Sequence, residues 1–292
     1  MIRRQTYIVC RVDLCLDFHR SKCLYAKMIF GPISPEKVSG RLVRGSPWTE
    51  IISLGATDST NSLAMELASS GAKHATVVIA DEQTFGRGRG GRRWVSPPGR
   101  NIYVSLILRP KCPHAKVQGL SLAAGAALAD VAECAGDDVF LKWPNDLYLG
   151  NRKAAGILVE TAYEGDALKY AVVGVGVNVN LTEEEIPQEL RGKATSFAIH
   201  AGRIFSREEI LAGFLNVFDC RYEEFIAGGF PAIRPAWSRR DMLRDRRVLI
   251  RRGDEETWGV ARGVDDDGVL LFRPDGASRD ETVQSGEIAC FL

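Results

Sequence analysis

Gln83 to Trp94 reads QTFGRGRGGRRW. Arg87, Arg89, Arg92 and Arg93 are threaded through Gly86, Gly88, Gly90 and Gly91, and Trp94 closes the run. Glycine lets a backbone take positive φ and come close to a ligand. Guanidinium groups carry permanent charge and forked donors that match phosphate and carboxylate oxygens. From Gln83 to Ala129 there are six Arg, two Lys and no Asp or Glu. A globular surface normally mixes its signs, so this segment predicts an anion site. Arginine–glycine runs also occur in nucleic-acid-binding tails. Here, however, TVVIA (Thr76 to Ala80) precedes the run and NIYVSLIL (Asn101 to Leu108) follows it. A loop between two core strands fits better than a tail.

Two common phosphate loops fail on the same residues. Gly86, Gly88 and Gly91 satisfy GxGxxG, but a dinucleotide site needs a helix opening at the loop and an acid about 20 positions on. This loop runs into Pro97–Pro98, and no acid follows before Asp130. Nor does the stretch contain GxxxxGK[ST].

Outward from the loop, period-2 patterning dominates. In NIYVSLIL, Tyr103, Ser105 and Ile107 share one face, and Ile102, Val104, Leu106 and Leu108 the other. Upstream, IISL predicts a short strand, and Ser59 or Thr60 caps a helix with Leu63, Ala64 and Leu67 on its apolar face, ended by Gly71. Downstream, Val117 to Cys134 predicts a buried Ala/Leu-rich helix. Phe140 to Thr161 predicts strand, turn at Pro144–Asp146, strand, tight turn at Gly150–Asn151, strand. YAVVGVGVNVN (Tyr170 to Asn180) predicts a buried strand in which Gly174 and Gly176 admit close approach. Arg207 to Ala227 predicts an amphipathic helix ended by Gly228–Gly229. From Arg240 on, four or five short strands between Gly, Asp and Pro turns predict a small all-β unit. Near the start, Thr6 to Leu16 alternates like a strand, and Ile33 to Leu42 suits one short helix with Ser34 as its cap and Pro35 in its first turn.

Composition bounds the classes. With 292 residues, 45% hydrophobic and 26% charged, the chain has length for a sizeable core without staples. The seven cysteines are scattered and form no CxxC pair, which argues against a disulfide framework and a zinc site. No apolar run is long enough for a membrane span, and the N-terminus is interrupted by charges, so a cytoplasmic protein without membrane partners is expected. Residues 1–44 carry a net charge of +6 and the rest −5. A mildly acidic body argues against general nucleic-acid binding.

GRGRGGRRW, KWPND (Lys142 to Asp146), RKAAGILVE (Arg152 to Glu160) and GVGVNVN (Gly174 to Asn180), with STN at Ser59 to Asn61, resemble the biotin–protein ligase family in motif and in order. The resemblance covers roughly residues 50–180. It implies an α+β catalytic domain related to class II aminoacyl-tRNA synthetases, with a mixed β-sheet and helices, and a small C-terminal SH3-like β-barrel. The corresponding division is an N-terminal extension (1–48), a biotin/ATP-binding catalytic domain (49–238) and the β domain (239–292). The resemblance also implies two half-reactions, in which biotin and ATP give biotinyl-5′-AMP and pyrophosphate, and an acceptor lysine then attacks the mixed anhydride. The implied partner is the biotin carboxyl carrier protein of acetyl-CoA carboxylase, with Mg²⁺ accompanying ATP. Some members dimerise through a sheet edge, which leaves a homodimer open.

Residue by residue, Ser59, Thr60, Asn61 and Gln83 offer neutral donors and acceptors for the biotin ureido ring. Trp94 and the AGIL stretch around Gly156 offer apolar surface. Arg87, Gly88, Arg89 and Lys153 complete the biotin side, with Lys153 and Arg89 as the catalytic candidates at the carboxylate and α-phosphate. Without the resemblance, Lys153 reads as a turn lysine beside Arg152. The ATP side is assigned to Arg92, Trp94, Lys142, Asn145, Asp146, Asn178 and Asn180, with Asp146 as the candidate Mg²⁺ ligand. A surface ion pair is the plainer reading of Lys142 and Asp146. Residues 1–48 show no winged helix, so ligation without repression is expected. The rivals are a lipoate ligase and a biotin-responsive DNA-binding regulator. The WPND turn and the arginine-rich loop favour biotin over lipoate, and no recognition helix is visible for the regulator.

Overall fold

The computed structural model describes residues 31–110, 117, 119–284 and 286–291. The expected strand over Thr6 to Leu16 lies outside them. Seven strands form the central sheet: β1 (Glu50–Thr57), β2 (Thr76–Gln83), β3 (Ile102–Leu108), β4 (Val139–Lys142), β5 (Asp146–Leu149), β6 (Arg152–Glu164) and β7 (Ala167–Val177). Their order is β1-β2-β3-β7-β6-β5-β4. β1 and β2 are parallel and every other pair is antiparallel, so the sheet is mixed. Gly150 takes φ 59° in the two-residue turn between β5 and β6, the conformation a tight hairpin asks of its first turn residue.

The alternation in β3 decides which face meets what. Ile102, Val104, Leu106 and Leu108 enter the main core, together with Val173, Val175 and Val177 of β7. That core is closed by α3 (Gly119–Ala132), α5 (Arg207–Gly228) and α6 (Phe230–Ser238), with Phe197 added by the short α4 (Phe197–Ala201). Small residues let α3 approach closely: a Cβ at Gly119 would lie 2.4 Å from the Phe225 ring. On the opposite face, α2 (Thr60–Ser69) covers a smaller cluster with Ile107, Val78 and Val172. Tyr103, Ser105, Gly174 and Gly176 share that second face beyond the helix. Tyr103, Gly174 and Gly176 of this face line a cavity roofed by Asn61 and Trp94.

Two segments differ from expectation. The stretch 33–48 is not an appendage. α1 (Pro35–Ser39) is capped by Ser34 as its sequence predicts, and Ile33, Val38 and Trp48 are buried in the main core. Trp48 stacks on Phe218 of α5 at 6.0 Å. Helix α6 also went unpredicted, because Pro231 and Pro235 suppress a helical reading. Pro231 occupies the first turn, where no N–H is needed, and Pro235 sits inside the helix.

The C-terminal strands β8 (Arg247–Arg252), β9 (Glu255–Val264), β10 (Leu270–Pro274), β11 (Glu281–Val283) and β12 (Glu287–Phe291) form a second, antiparallel sheet in the order β11-β10-β9-β8-β12. Its approach is fixed at the β4 end of the first sheet. Leu141 N donates to Arg240 O (2.7 Å) and Met242 N to Leu141 O (2.9 Å). Trp143 Nε1 donates to Gly268 O at 3.1 Å. No described helix is long and apolar enough to cross a membrane.

Candidate active site

The arginine–glycine segment is a narrow hairpin. Trp94 N donates to Gly86 O (2.8 Å) and Gly88 N to Arg92 O (2.7 Å), with Arg87 and Arg93 bridged across. Its tip is a single 3-10 turn, Arg89–Gly91, where Gly90 and Gly91 take φ 63° and 73°. Side-chain-bearing residues avoid that region, so the glycines here serve the turn itself. Gly86 serves the approach: a Cβ there would lie 2.5 Å from Trp94 O.

Beneath the hairpin runs a chain of neutral polar groups. Ser59 caps α2, which turns Thr60 and Asn61 toward β3 and β6. Asn61 Nδ2 donates to Leu158 O (3.2 Å) and to Glu160 Oε2 (2.9 Å). Asn61 Oδ1 lies 2.6 Å from Ser105 Oγ, which lies 2.8 Å from Thr60 Oγ1. Thr60 Oγ1 lies 3.1 Å from Gln83 Oε1, which also accepts from Thr60 N at 2.9 Å. Gln83 Nε2 then donates to Ser96 Oγ (2.9 Å), and Ser96 Oγ to Trp94 O (3.1 Å). These partners fix both amide orientations. Asn61 Oδ1 and Gln83 Oε1 can only accept, and two hydroxyls stand between them. Three contacts therefore share two protons. A ligand that donates an N–H into this chain relieves the shortage.

Glycine carves the floor. A Cβ at Gly174 would lie 1.9 Å from Asn61 Oδ1, and one at Gly176 2.5 Å from Trp94 Nε1. Trp94 thus lies flat over β7 and β6, with its indole N–H buried and unpartnered. Lys153 Nζ stands 5.4 Å from the Trp94 ring centroid, within cation–π range.

The other end of the cavity is cationic. Lys153 Nζ is 2.6 Å from Asp146 Oδ1, a close ion pair without hydrogen-bond alignment, since that oxygen has no hydrogen-bond partner. Lys142, register partner of Asp146 across the β4–β5 hairpin, donates to Ile288 O at 3.2 Å. Burial pushes the Lys142 ammonium pKa down, opposed by the charge of Asp146. Burial likewise lowers Arg89, which has no carboxylate partner within ion-pair distance among the described residues. Arg87 pairs with Glu160 and Arg92 with Glu287 of β12. One cavity of about 340 Å³ takes in both ends, a volume typical of small-molecule sites.

The structure brings every expected site residue to this cavity except Asn180. Asn180 is 3% exposed and spends its amide on the Phe205 backbone, donating through Nδ2 and accepting through Oδ1. It is a clamp behind the site rather than a nucleotide contact. Asn145 and Asn178 line the cavity, but their Nδ2 groups donate to Ile157 O (2.6 Å) and Thr195 O (3.0 Å). Ser105 and Glu160 were not singled out for chemistry. Ser105 had a signal, a lone hydroxyl in an otherwise apolar strand, whereas Glu160 had only its place at the end of ILVE. No group of three metal-ligating side chains occurs among the described residues, and Asp146 stands in an ion pair with Lys153. The residues present do not by themselves make a Mg²⁺ site.

A mixed sheet thus carries, under a glycine–arginine hairpin, one cavity with a neutral polar chain at one end and cations at the other, a shape suited to a small molecule with a hydrogen-bonding head and an anionic end. The profile of the Biotin/lipoate A/B protein ligase family matches residues 54–178. The chain is 35% identical over 244 residues to the bifunctional ligase/repressor BirA of Bacillus subtilis, covering 82% of this chain and 75% of that protein. It is 33% identical over 239 residues to the biotin–[acetyl-CoA-carboxylase] ligase of Paracoccus denitrificans, covering 80% and 98%. Among solved structures it resembles the biotin protein ligase of Aquifex aeolicus in complex with biotin and ATP. There the TM-score is 0.70 and the identity 29%, with 83% of this chain and 97% of that chain covered. The chain belongs to the biotin protein ligase family.

Proposed function

We propose that this protein is an ATP-dependent biotin–protein ligase acting through an acyl-adenylate. In the first step a biotin carboxylate oxygen attacks the ATP α-phosphorus and pyrophosphate leaves. In the second, the ε-amine of an acceptor lysine attacks the acyl carbon, loses a proton, and AMP leaves. The acceptor is the biotin carboxyl carrier protein of acetyl-CoA carboxylase. The observation that carries this reading is the pairing of two environments in one cavity. The proton-poor chain Asn61–Ser105–Thr60–Gln83 suits a ureido ring, which brings N–H donors and a carbonyl. The far end holds Arg89, which has no carboxylate within ion-pair distance among the described residues, lining the same cavity as Lys142 and Lys153.

Negative charge gathers where the carboxylate meets the α-phosphate, and fixed cations there stabilise the transition state. Lys153 is the group we assign to that point, exchanging Asp146 for the ligand oxygens, with Arg89 closing from the hairpin tip. Trp94 shields the anhydride from water from its seat over Gly176. We read the seven-stranded part as a class II synthetase-like catalytic domain and residues 239–292 as an SH3-like module. That reading is supported by the element order and by the five antiparallel strands. We also read ligation without repression and a cytoplasmic setting. The packing of residues 33–48 into the core supports the first, and the scattered cysteines the second.

The test is ATP–pyrophosphate exchange dependent on biotin, with lipoate as the competing acid, followed by transfer of labelled biotin to a carrier domain. Exchange with lipoate alone overturns the reading.

A further inference from the structure

Glu160 stands where two structures meet. Its Oε2 accepts from Arg87 Nη2 at 2.5 Å, on the rising arm of the hairpin, and from Asn61 Nδ2 at 2.9 Å, in the pocket floor. The Glu160 side chain is 27% exposed and Arg87 42%, so the pair sits partly exposed at the edge of the pocket that Arg87 lines. The falling arm is tied in from the other side, since Ser96 links Gln83 to Trp94 O. The polar chain therefore runs from one arm of the hairpin to the other, through the floor: Arg87–Glu160–Asn61–Ser105–Thr60–Gln83–Ser96–Trp94.

We infer that Glu160 is a positioning residue that couples the seating of the arginine–glycine hairpin to the donor–acceptor polarity of the ligand pocket. The inference rests on the biotin ligase reading for the identity of the ligand. A carboxylate can only accept, so Glu160, together with Leu158 O, forces the Asn61 amide nitrogen outward and Asn61 Oδ1 toward Ser105. That choice spends the Ser105 proton on Asn61 and leaves the Thr60 proton alone to serve two contacts, with Ser105 and with Gln83, of which Thr60 and Gln83 line the cavity. The vacancy that receives a ligand N–H is thus set from outside the pocket. The same carboxylate holds Arg87 beside the cavity rather than extended into water. Glu160 touches neither substrate in this scheme and acts through Asn61 and Arg87.

Glu160→Ala removes both bonds, while Glu160→Gln keeps the shape but loses the charge and lets the amide present a donor. The probes are biotin and ATP in pyrophosphate exchange, trypsin cleavage within Arg87–Arg93 with and without biotin, and thermal unfolding. Losing charge-assisted bonds predicts a rise of about tenfold or more in the biotin KM for Glu160→Ala, with the ATP KM moving less than about threefold. Glu160→Gln is expected to lie between. Hairpin cleavage in the absence of biotin is expected to speed up several-fold, and saturating biotin is expected no longer to protect Glu160→Ala. Wild-type biotin KM and wild-type protection in both variants overturn the inference. Equal rises in both KM values that track a fall in melting temperature overturn it too, since that is the signature of a merely structural glutamate. If the wild-type protein shows no biotin-dependent exchange, the function reading fails. The ligand-free cleavage rates then still decide whether Glu160 seats the hairpin.

Discussion

Gly174→Ala places one methyl group under the ligand pocket, and its effect follows from the geometry. The new Cβ would lie 1.9 Å from Asn61 Oδ1 and 2.6 Å from its Cγ. Ordinary contact begins near 3.4 Å, so Asn61 must withdraw by about 1.5 Å or β7 must shift. The strand is pinned: Gly174 is the register partner of Ser105 on β3 and of Leu158 on β6. Those same two residues, with Glu160, hold the Asn61 carboxamide. The side chain therefore yields, and its three bonds open together. Neutral bonds contribute roughly 0.5–1.5 kcal/mol each and the one to Glu160 roughly 1.5–3. Overpacking adds about 1–3 kcal/mol in a core that does not relax. Partial relaxation makes a net stability loss of about 2–4 kcal/mol the expected outcome. Biotin affinity should fall about 100-fold, since the orienting amide is lost. Calorimetric titration with biotin and thermal unfolding measure both. A dissociation constant within about twofold of wild type, with Asn61 still bonded to Ser105 in a structure of the variant, would falsify the assignment of Asn61. Gly176→Ala is the contrast. Its Cβ meets the Trp94 indole at 2.5 Å, and Trp94 belongs to the hairpin. That variant should expose the hairpin to trypsin and weaken biotin less than Gly174→Ala.

Three further outcomes are expected. Lys153→Ala should abolish adenylate synthesis, by about 100-fold or more, while the protein still melts cooperatively; wild-type exchange in that variant refutes its role. Arg89→Gly should release biotinyl-adenylate, read as label on lysines of unrelated proteins, and unchanged acceptor selectivity counts against it. Asp241, at the junction of the two sheets, has its carboxyl pushed up to about 6 by burial, against its backbone bond from Leu243 and the charge of Arg244, with Asp245 adding to the rise. Its contribution is most favourable below about pH 4 and is lost as pH rises through about 6, because the ionised form is the one the fold disfavours. Asp241→Asn should therefore raise the melting temperature at pH 8 and leave it unchanged at pH 4. A gain of the same size at both values excludes the carboxylate as its source.

The legible part is local and periodic. Alternation in β3 puts Val104 on one face and Ser105 on the other, because successive side chains of a strand point to opposite faces. The hairpin was legible as an anion loop because no acid interrupts its arginines. The motif order carries the family and, through it, a set of expected site residues of which all but Asn180 line the cavity. Which faces meet is settled only when the chain folds. Ser105 is 44 residues from Asn61, and Glu160 is 73 from Arg87. Nothing in their spacing announces that they share protons or charge. Asn178 and Asn180 look alike in GVGVNVN and lie on the same side of an extended chain. One borders the cavity, while the other is turned to account by the Phe205 backbone. Helix α6 and the buried stretch 33–48 were hidden for the same reason. Prolines and scattered apolar residues carry no period; α6 is fixed by packing on α3 and α5, and the 33–48 stretch by Asn216 of α5, 173 and 175 residues from Val43 and Arg41.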